Sequence, residues 1–334
     1  MTIHESHYQH WDGQRQGIWR RRAVITWHGL KSCLQNKWMR HIVTVSWGFC
    51  LAQVSALFLI GQLLVTDSLT NQYLPNFSSQ VQFFARALVT WLQQHPEISV
   101  RTTQNLLFYF FSSKLMFLGL AAIALAMPHL ISRDLSSRAI IIYSSKAVGR
   151  LDYLLGKGGT LVGLLVLTWA GPVLVAWLAG NLLSPKWHFF WHSRLALGHM
   201  LSFMLVSIGF LSLLGLGVSA LSGKEKITMG MWMGLWFLGN SIAEVAMQTK
   251  TNPWLKYFSF RNNLDTICSA IFQLKKDLIL AQQNIPVFGD FLRGVVPPQT
   301  MDSIQNPDLF GALAGLGIML VLASGILFWR VKPE

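Results

Sequence analysis

Charged side chains are scarce in this sequence. Asp, Glu, Lys and Arg make up 12% of its 334 residues, against about 25% in an ordinary soluble domain. Acids are scarcer still, with 14 Asp and Glu facing 27 Lys and Arg for a formal charge of +13. Cysteine is nearly missing. The three at positions 33, 50 and 268 form no CxxC pair, so neither a disulfide framework nor a metal site follows from them. The first 40 residues are polar and basic and hold no short apolar run ending in a small-residue cleavage site, so no cleavable signal peptide is expected. Catalytic signatures are also lacking. There is no GxSxG motif, and no Asp or His pair at ligand spacing lies in the apolar runs. Gly156-Lys157 has the look of a phosphate-binding loop, but that motif needs Gly at 151 and Ser or Thr at 158, where this chain has Leu151 and Gly158. His4-Glu5-Ser6-His7 is one residue too short for the zinc-protease motif HExxH. The expectation is therefore a chain that is not itself an enzyme, holds no metal and carries no cofactor.

What the sequence does have is apolar bulk. Hydrophobic residues make up 52% of the chain, with 14 Trp and 21 Phe, and the mean hydropathy is +0.41. This is the composition of a membrane protein. A span needs about 20 apolar residues, and six runs qualify: about 41–64, 106–130, 158–183, 195–222, 227–247 and 309–329. The fold class expected is an all-α membrane protein with six transmembrane helices, the whole of 1–334 forming one transmembrane domain. The positive charge reads as the lysine and arginine that collect on cytoplasmic loops, and no basic domain stands apart to bind nucleic acid. With the N-terminus inside, the inner segments carry 16 Lys and Arg in 76 residues and the outer ones 10 in 113. Both termini are thus expected in the cytoplasm, in a multi-pass protein of the cell (inner) membrane.

Between the runs the chain is patterned. Residues 1–16 read as a polar tail. Trp19, Ala23, Trp27, Leu30, Leu34 and Trp38 recur at spacings of three and four, with Arg20, Arg21, Arg22, Lys31 and Lys37 mostly off that stripe. This predicts an amphipathic helix lying in the membrane interface, the other reading being a helix that packs on a partner. The outer loops, 65–105 and 248–308, each hold a helical apolar face, one through Val81, Leu88 and Trp91 and the other through Leu264, Ile267, Ile271, Leu274 and Leu278. These predict helices on the outer leaflet or over the span ends. Gly159/Gly163, Gly230/Gly234 and Gly311/Gly315 are GxxxG pairs that let helices approach closely. His199 stands alone in the fourth run and reads as a packing residue. Two further ionisable groups lie within runs. Lys114 and Glu244 fall at similar depth with opposite sign, and two readings stand: an intramembrane ion pair, or two side chains snorkelling to the headgroups.

The stretch from Leu130 to Gly159 interrupts the apolar pattern and is short, polar and basic. It runs from Ser132-Arg133-Asp134 through a Leu-, Ile- and Tyr-bearing helix to Lys146-Ala147-Val148-Gly149-Arg150-Leu151-Asp152-Tyr153, and then through Leu155-Gly156-Lys157 into the third run. This order resembles the cytoplasmic loop of the permease subunits of type-2 ABC exporters, a six-span family. Trp329-Arg330-Val331-Lys332-Pro333-Glu334 is similar to that family's C-terminal ending. Ala147 stands where the family has Pro, and Gly149 where it has Ser. The resemblance implies a cytoplasmic coupling helix between spans two and three, with Arg133, Asp134, Arg138, Tyr143 and Lys146 docking a separate ABC ATPase subunit. It implies that Gly156 and Lys157 form a hinge into the third span. It also implies a dimer of permeases, of one kind or two, with ATP and Mg held by the partner ATPase. Two alternatives are a secondary transporter or channel, and a membrane subunit that transports nothing but relays ATPase motion to an envelope machine.

Overall fold

The structure is a computed structural model that describes residues 17–63, 76, 78–137, 149–184, 188–249, 252–284 and 307–331. All its regular secondary structure is helical: α1 (Ile18–Leu34), α2 (Lys37–Leu63), α3 (Ser79–Gln94), α4 (Pro96–Ala126), α5 (Ile131–Ser136), α6 (Arg150–Leu165), α7 (Gly171–Leu182), α8 (His188–Ala220), α9 (Glu225–Thr249), α10 (Phe260–Ile271), α11 (Leu274–Asn284) and α12 (Leu309–Arg330), with short 3-10 segments at Met127–His129 and Pro253–Phe258. Five of the described helical stretches are long and apolar enough to cross a membrane: Lys37–Gln62, Pro96–Ser136, Arg150–Leu182, Phe190–Ala220 and Leu309–Arg330. The protein is an all-α, multi-pass membrane protein. The fifth run expected from sequence forms α9, but this helix carries Trp232, Trp236, Asn240 and Glu244 and falls short of the apolarity of the other five.

The bundle has two ends, named here for α1 and α3. At the α1 end, the Arg150 guanidinium at the start of α6 donates to the carbonyl oxygens of Leu327 (2.9 Å) and Phe328 near the end of α12. Arg330 donates to Leu221, just past α8. Phe328 O lies in the last turn of α12, where helix carbonyls lack a partner of their own, whereas Leu327 O also accepts from the Val331 N–H. At the α3 end, Gly61 of α2 approaches Ser184 beyond α7, and Ser193 of α8 accepts from Trp177 Nε1 of α7 at 3.2 Å. Buried aromatic residues fill the centre. Trp169 Nε1 donates to Ser112 O (3.0 Å) and Trp232 Nε1 to Leu120 O (3.0 Å), so both indoles enter the core without an orphaned donor.

The third run is interrupted for a legible reason. Between α6 and α7 the chain makes a π-turn over Val166–Ala170, in which the Gly171 N–H donates to Val166 O. Leu167 O is thereby bypassed, and Pro172 has no N–H to offer Thr168 O. Both carbonyls are satisfied from α2: Trp47 Nε1 donates to Leu167 O (3.2 Å) and the Ser46 hydroxyl donates to Thr168 O. Gly180 admits Leu57 one layer further on, since a Cβ there would meet Leu57 Cβ at 2.6 Å.

The described part of the stretch after α9, residues 252–284, does more than cover span ends. After Thr249 the chain turns back, and by Ser259 it is again level with Asn240, to which the Ser259 hydroxyl donates at 2.5 Å. Nine residues of α9 are retraced, about 14 Å at 1.5 Å per residue. Phe260 then lies against Trp232 with ring centroids 5.7 Å apart. From that depth α10 and α11 climb out along α4. They are separated at Phe272–Gln273, where Gln273 takes φ 51°. The apolar face predicted across 264–278 persists through this break, with Leu264, Ile267, Leu274 and Leu278 all buried. α10 and α11 are a returning hairpin inside the bundle rather than a cover laid over it.

Candidate functional site

The best-built polar site lies at the α1 end, where α4 stops. Pro128 sits in the 3-10 segment after Ala126, and Leu130 leaves helical geometry at φ −84°, ψ −113°. Such a break strands polar backbone groups in a buried place, and each must find a partner. The first amides of α5, those of Ile131 and Ser132, donate to Ser219 Oγ of α8 at 3.0 and 3.2 Å, and that hydroxyl donates to Met127 O at 3.2 Å. One serine on a different helix therefore caps both sides of the break. The carbonyls fall to Lys157 of α6. Its ammonium donates to Leu130 O (2.8 Å) and His129 O (3.2 Å) and pairs with Asp134 Oδ2 of α5 at 2.7 Å. All three ammonium donors are used. Asp134 Oδ2 also accepts from Tyr153 OH at 2.6 Å.

Around this lock, α1 is seated on α6. A Cβ on Gly156 would meet Ile25 Cβ at 2.8 Å, and Gly159 faces Thr26 as closely. Thr26 Oγ1 donates to Gly156 O (3.0 Å), and Arg22 pairs with Asp152 at 2.6 Å. The stripe carrying Trp19 and Trp27 stays outside, 79% and 69% exposed. One face of α1 thus packs on the bundle of its own chain, and the Trp face is open. Cys33, at the base of α1, is buried, and burial pushes its thiol up to about 11 against the opposing pull of Lys157, leaving it an inert packing group.

Of the residues expected to dock a partner, Asp134 lies in the lock, and Arg133 is exposed beside it with no carboxylate partner among the described residues. Arg138, Tyr143 and Lys146 lie outside the described residues, as does Ala147. Gly156 and Lys157, read from sequence as a hinge, sit in the uninterrupted helix α6; one seats α1 and the other ties down the end of α4. Lys114 and Glu244 are both exposed, and no ion pair joins them among the described residues. The carboxylate whose charge Lys114 favours is Asp265.

Sequence reading missed a second polar cluster, where the returning hairpin meets α4. Asp277 of α11 is 1% exposed and accepts from Asn105 Nδ2 (2.7 Å) and Thr102 Oγ1 (3.2 Å). Asn105 Oδ1 in turn contacts His199 Nδ1 at 3.2 Å, so His199 is not isolated. Burial pushes the Asp277 carboxyl above its ordinary range, against donation by Asn105 and the charge of Arg101. About two turns along α4 from Asn105, Ser113 Oγ donates to Asp265 of α10 at 2.8 Å. Burial raises that carboxyl too, opposed by Ser113, Arg261 and Lys114. The sequence signal available was two acids on an otherwise apolar helical face. Among the described residues no group of three or more His, Cys, Asp or Glu is placed to hold a metal ion. No family model matches the chain, and comparison with curated proteins also finds no match.

Proposed function

We propose that this chain is the membrane-spanning permease subunit of an ABC exporter, driven by ATP hydrolysis in a separate ATPase subunit docked on the 131–157 loop. The observation that carries the reading is the lock around Lys157. It ties the end of α4, the start of α5, the first turns of α6 and, through Gly156, α1 into one body. Residues 138–148, with Arg138, Tyr143 and Lys146, join the two sides of that body. A push on this loop is then passed to two long helices at once instead of being lost in a flexible tether. Exposed charges such as Arg133 add little energy individually but set register against a partner.

In this reading α9 is the sixth span. Thr228, near its start, contacts Ser132 of α5, and its 25 residues reach about 37 Å toward the α3 end. Six crossings, with the basic segments inside, leave both termini in the cytoplasm of a cell (inner) membrane. ATP and Mg belong to the ATPase, and two permease chains of one or two kinds complete the transporter.

The test is co-expression with the ATPase encoded by a neighbouring gene. The pair is expected to copurify, and Asp134→Ala together with Arg133→Glu is expected to release the ATPase or unlink its activity from transport. If no ATPase associates, or if the double variant transports as well as the parent, the reading fails. The Asp277–Asn105–His199 chain supports a second reading, a proton-linked secondary transporter, since protonatable groups buried in a bundle mark such pathways. Transport that persists without ATP and vanishes in Asp277→Asn would favour it.

A further inference from the structure

Beside the lock, between α1 and the α5–α6 corner, the structure holds a cavity of about 360 Å3, within the about 300–1,000 Å3 of small-molecule sites. Its polar lining comes from His28 and Ser32 of α1, His129 of the 3-10 segment, Arg133 and Asp134 of α5, and Lys157 of α6. Asp134 is the one carboxylate in the lining, and it is already taken by Lys157 (2.7 Å) and Tyr153 (2.6 Å). Glu225 acts electrostatically on His129 but does not line the cavity. The fork of Arg133 is thus left without an anion among the described residues, at the rim of a site that also offers two imidazoles and a hydroxyl.

The depth of the cavity says what the anion is. One wall is α1, whose Trp19 and Trp27 are 79% and 69% exposed and which carries the exposed Arg20 beside Trp19. Tryptophan settles at the headgroup level of a bilayer, and arginine reaches from there toward lipid phosphate. The same wall supplies Val24 and Ile25 to the lining beside His28 and Ser32, so the lining joins an aliphatic patch on α1 to the cation on α5. That two-sidedness fits a molecule with a phosphate joined to an apolar body. A soluble anion would have no use for the aliphatic wall, and an acidic peptide would leave it half filled.

We propose that this cavity binds the phosphate headgroup of an anionic glycerophospholipid. Arg133 takes the phosphate oxygens as a fork, His28, His129 and Ser32 supply further donors, and Val24 and Ile25 pack against the glycerol and first methylenes. The bound lipid bridges α1 to α5 and so ties the lock to the membrane surface.

The test uses the full chain, delipidated in detergent and then offered phosphatidylglycerol or phosphatidylcholine, with retention read by native mass spectrometry. The parent is expected to retain phosphatidylglycerol over phosphatidylcholine by about tenfold, and Arg133→Gln to lose most of that preference, as for a charge-assisted hydrogen bond removed. Ser32→Phe fills the cavity without touching a charge and is expected to lose retention alike. It also carries the test if Arg133→Gln fails to fold. Arg194→Gln, at the α3 end, is expected to behave as the parent. Equal retention of the two lipids, or full phosphatidylglycerol retention by Ser32→Phe, overturns the proposal. So does a result in which inorganic phosphate raises the melting temperature of the parent but not of the variants while lipid retention is the same in all, because the ligand is then a soluble anion. Loss of a copurifying protein by Arg133→Gln with lipid retention intact assigns the cavity to an acidic partner segment and overturns it as well.

Discussion

Lys157 carries an unusual load for one side chain. Its ammonium satisfies two stranded carbonyls and neutralises a carboxylate in a largely buried place. Lys157→Met removes all three at once and leaves Asp134 buried without its cation, a change that costs about 3–5 kcal/mol in comparable pairs. A marked fall in melting temperature in detergent is the expected result. The double swap Asp134→Lys with Lys157→Asp is expected not to rescue it, because a carboxylate cannot donate to His129 O and Leu130 O; recovery to the parent value would mean that the ion pair alone matters. Asp277 has the opposite character, a buried acid held only by neutral donors. Its folded-state carboxyl lies above the ordinary range of about 4, chiefly through burial. An acid raised in this way contributes stability that is full below its unfolded value and is lost as pH climbs through the folded one. The charged groups facing it are Arg101 from α4 and His199 from α8. The melting temperature of the parent is therefore expected to decline from pH 4 upward relative to Asp277→Asn, which keeps an acceptor and never ionises. Equal slopes for the two proteins would remove this assignment. Asp277→Ala is expected to cost about 1–3 kcal/mol near pH 4 by orphaning Asn105, and less as pH rises. Neither role could be read from the chain alone. Asp277 and Asn105 are 172 positions apart, whereas Lys157 at least stood in a short basic stretch with Asp134.

At the scale of elements, the apolar periods of the sequence carried most of the fold. Runs of unbroken apolar residues became α2, α4, α6–α7, α8 and α12, because in a bilayer only a helix satisfies its own backbone. What periodicity could not carry was depth. The face from Leu264 to Leu278 is the same whether the helix lies over the span ends or inside the bundle. The difference is made by Asn240, Ser113 and Asn105, distant in sequence, which hold the hairpin down. The GxxxG pairs divide in the same way. Gly159 and Gly311 meet neighbours that leave no room for a methyl group, while Gly230 faces open space; spacing alone cannot say which glycine has a partner. This gives a test for α1. Gly156→Val places a branched side chain where Ile25 already stands at 2.8 Å from the first added atom. With the Arg22–Asp152 pair and the Thr26 hydrogen bond strained apart, α1 is expected to come away from α6. Limited trypsin cleavage at Arg20–Arg22 should then run about tenfold faster than in the parent, a shift of about 1.4 kcal/mol in local opening. Gly230→Val, with nothing against it, is expected to leave the cleavage rate unchanged. Equal rates in both variants would mean that α1 is not held by this seam.

For the molecule as a whole, the open question that geometry sharpens is how many times the chain crosses the membrane. Five helical stretches meet the requirement of length and apolarity, and an odd number would put the two ends of the chain on opposite sides. Yet Arg150, at the start of α6 and next to α1, donates to the carbonyls of Leu327 and Phe328 at the end of α12. Both terminal helices therefore come to the same end of the bundle, the arrangement that the six crossings proposed above would give. In that proposal the sixth crossing is α9, whose tryptophans and Asn240 lower its mean hydropathy, though Trp232 Nε1 donates to Leu120 O and Asn240 accepts from Ser259 inside the bundle. Polar atoms satisfied within the bundle do not oppose insertion as free ones would. The check is cysteine labelling in sealed vesicles, for which the background is low because Cys33, Cys50 and Cys268 are all buried. Arg20→Cys, Ser137→Cys and Arg330→Cys are expected to react with an impermeant maleimide from one side only. His95→Cys and Gln283→Cys are expected to react from the other side. If Arg330→Cys labels with His95→Cys instead, the chain crosses five times and α9 lies on the surface. The positive-inside asymmetry then loses its even count, and with it the placement of the 131–157 loop on the same face as both termini.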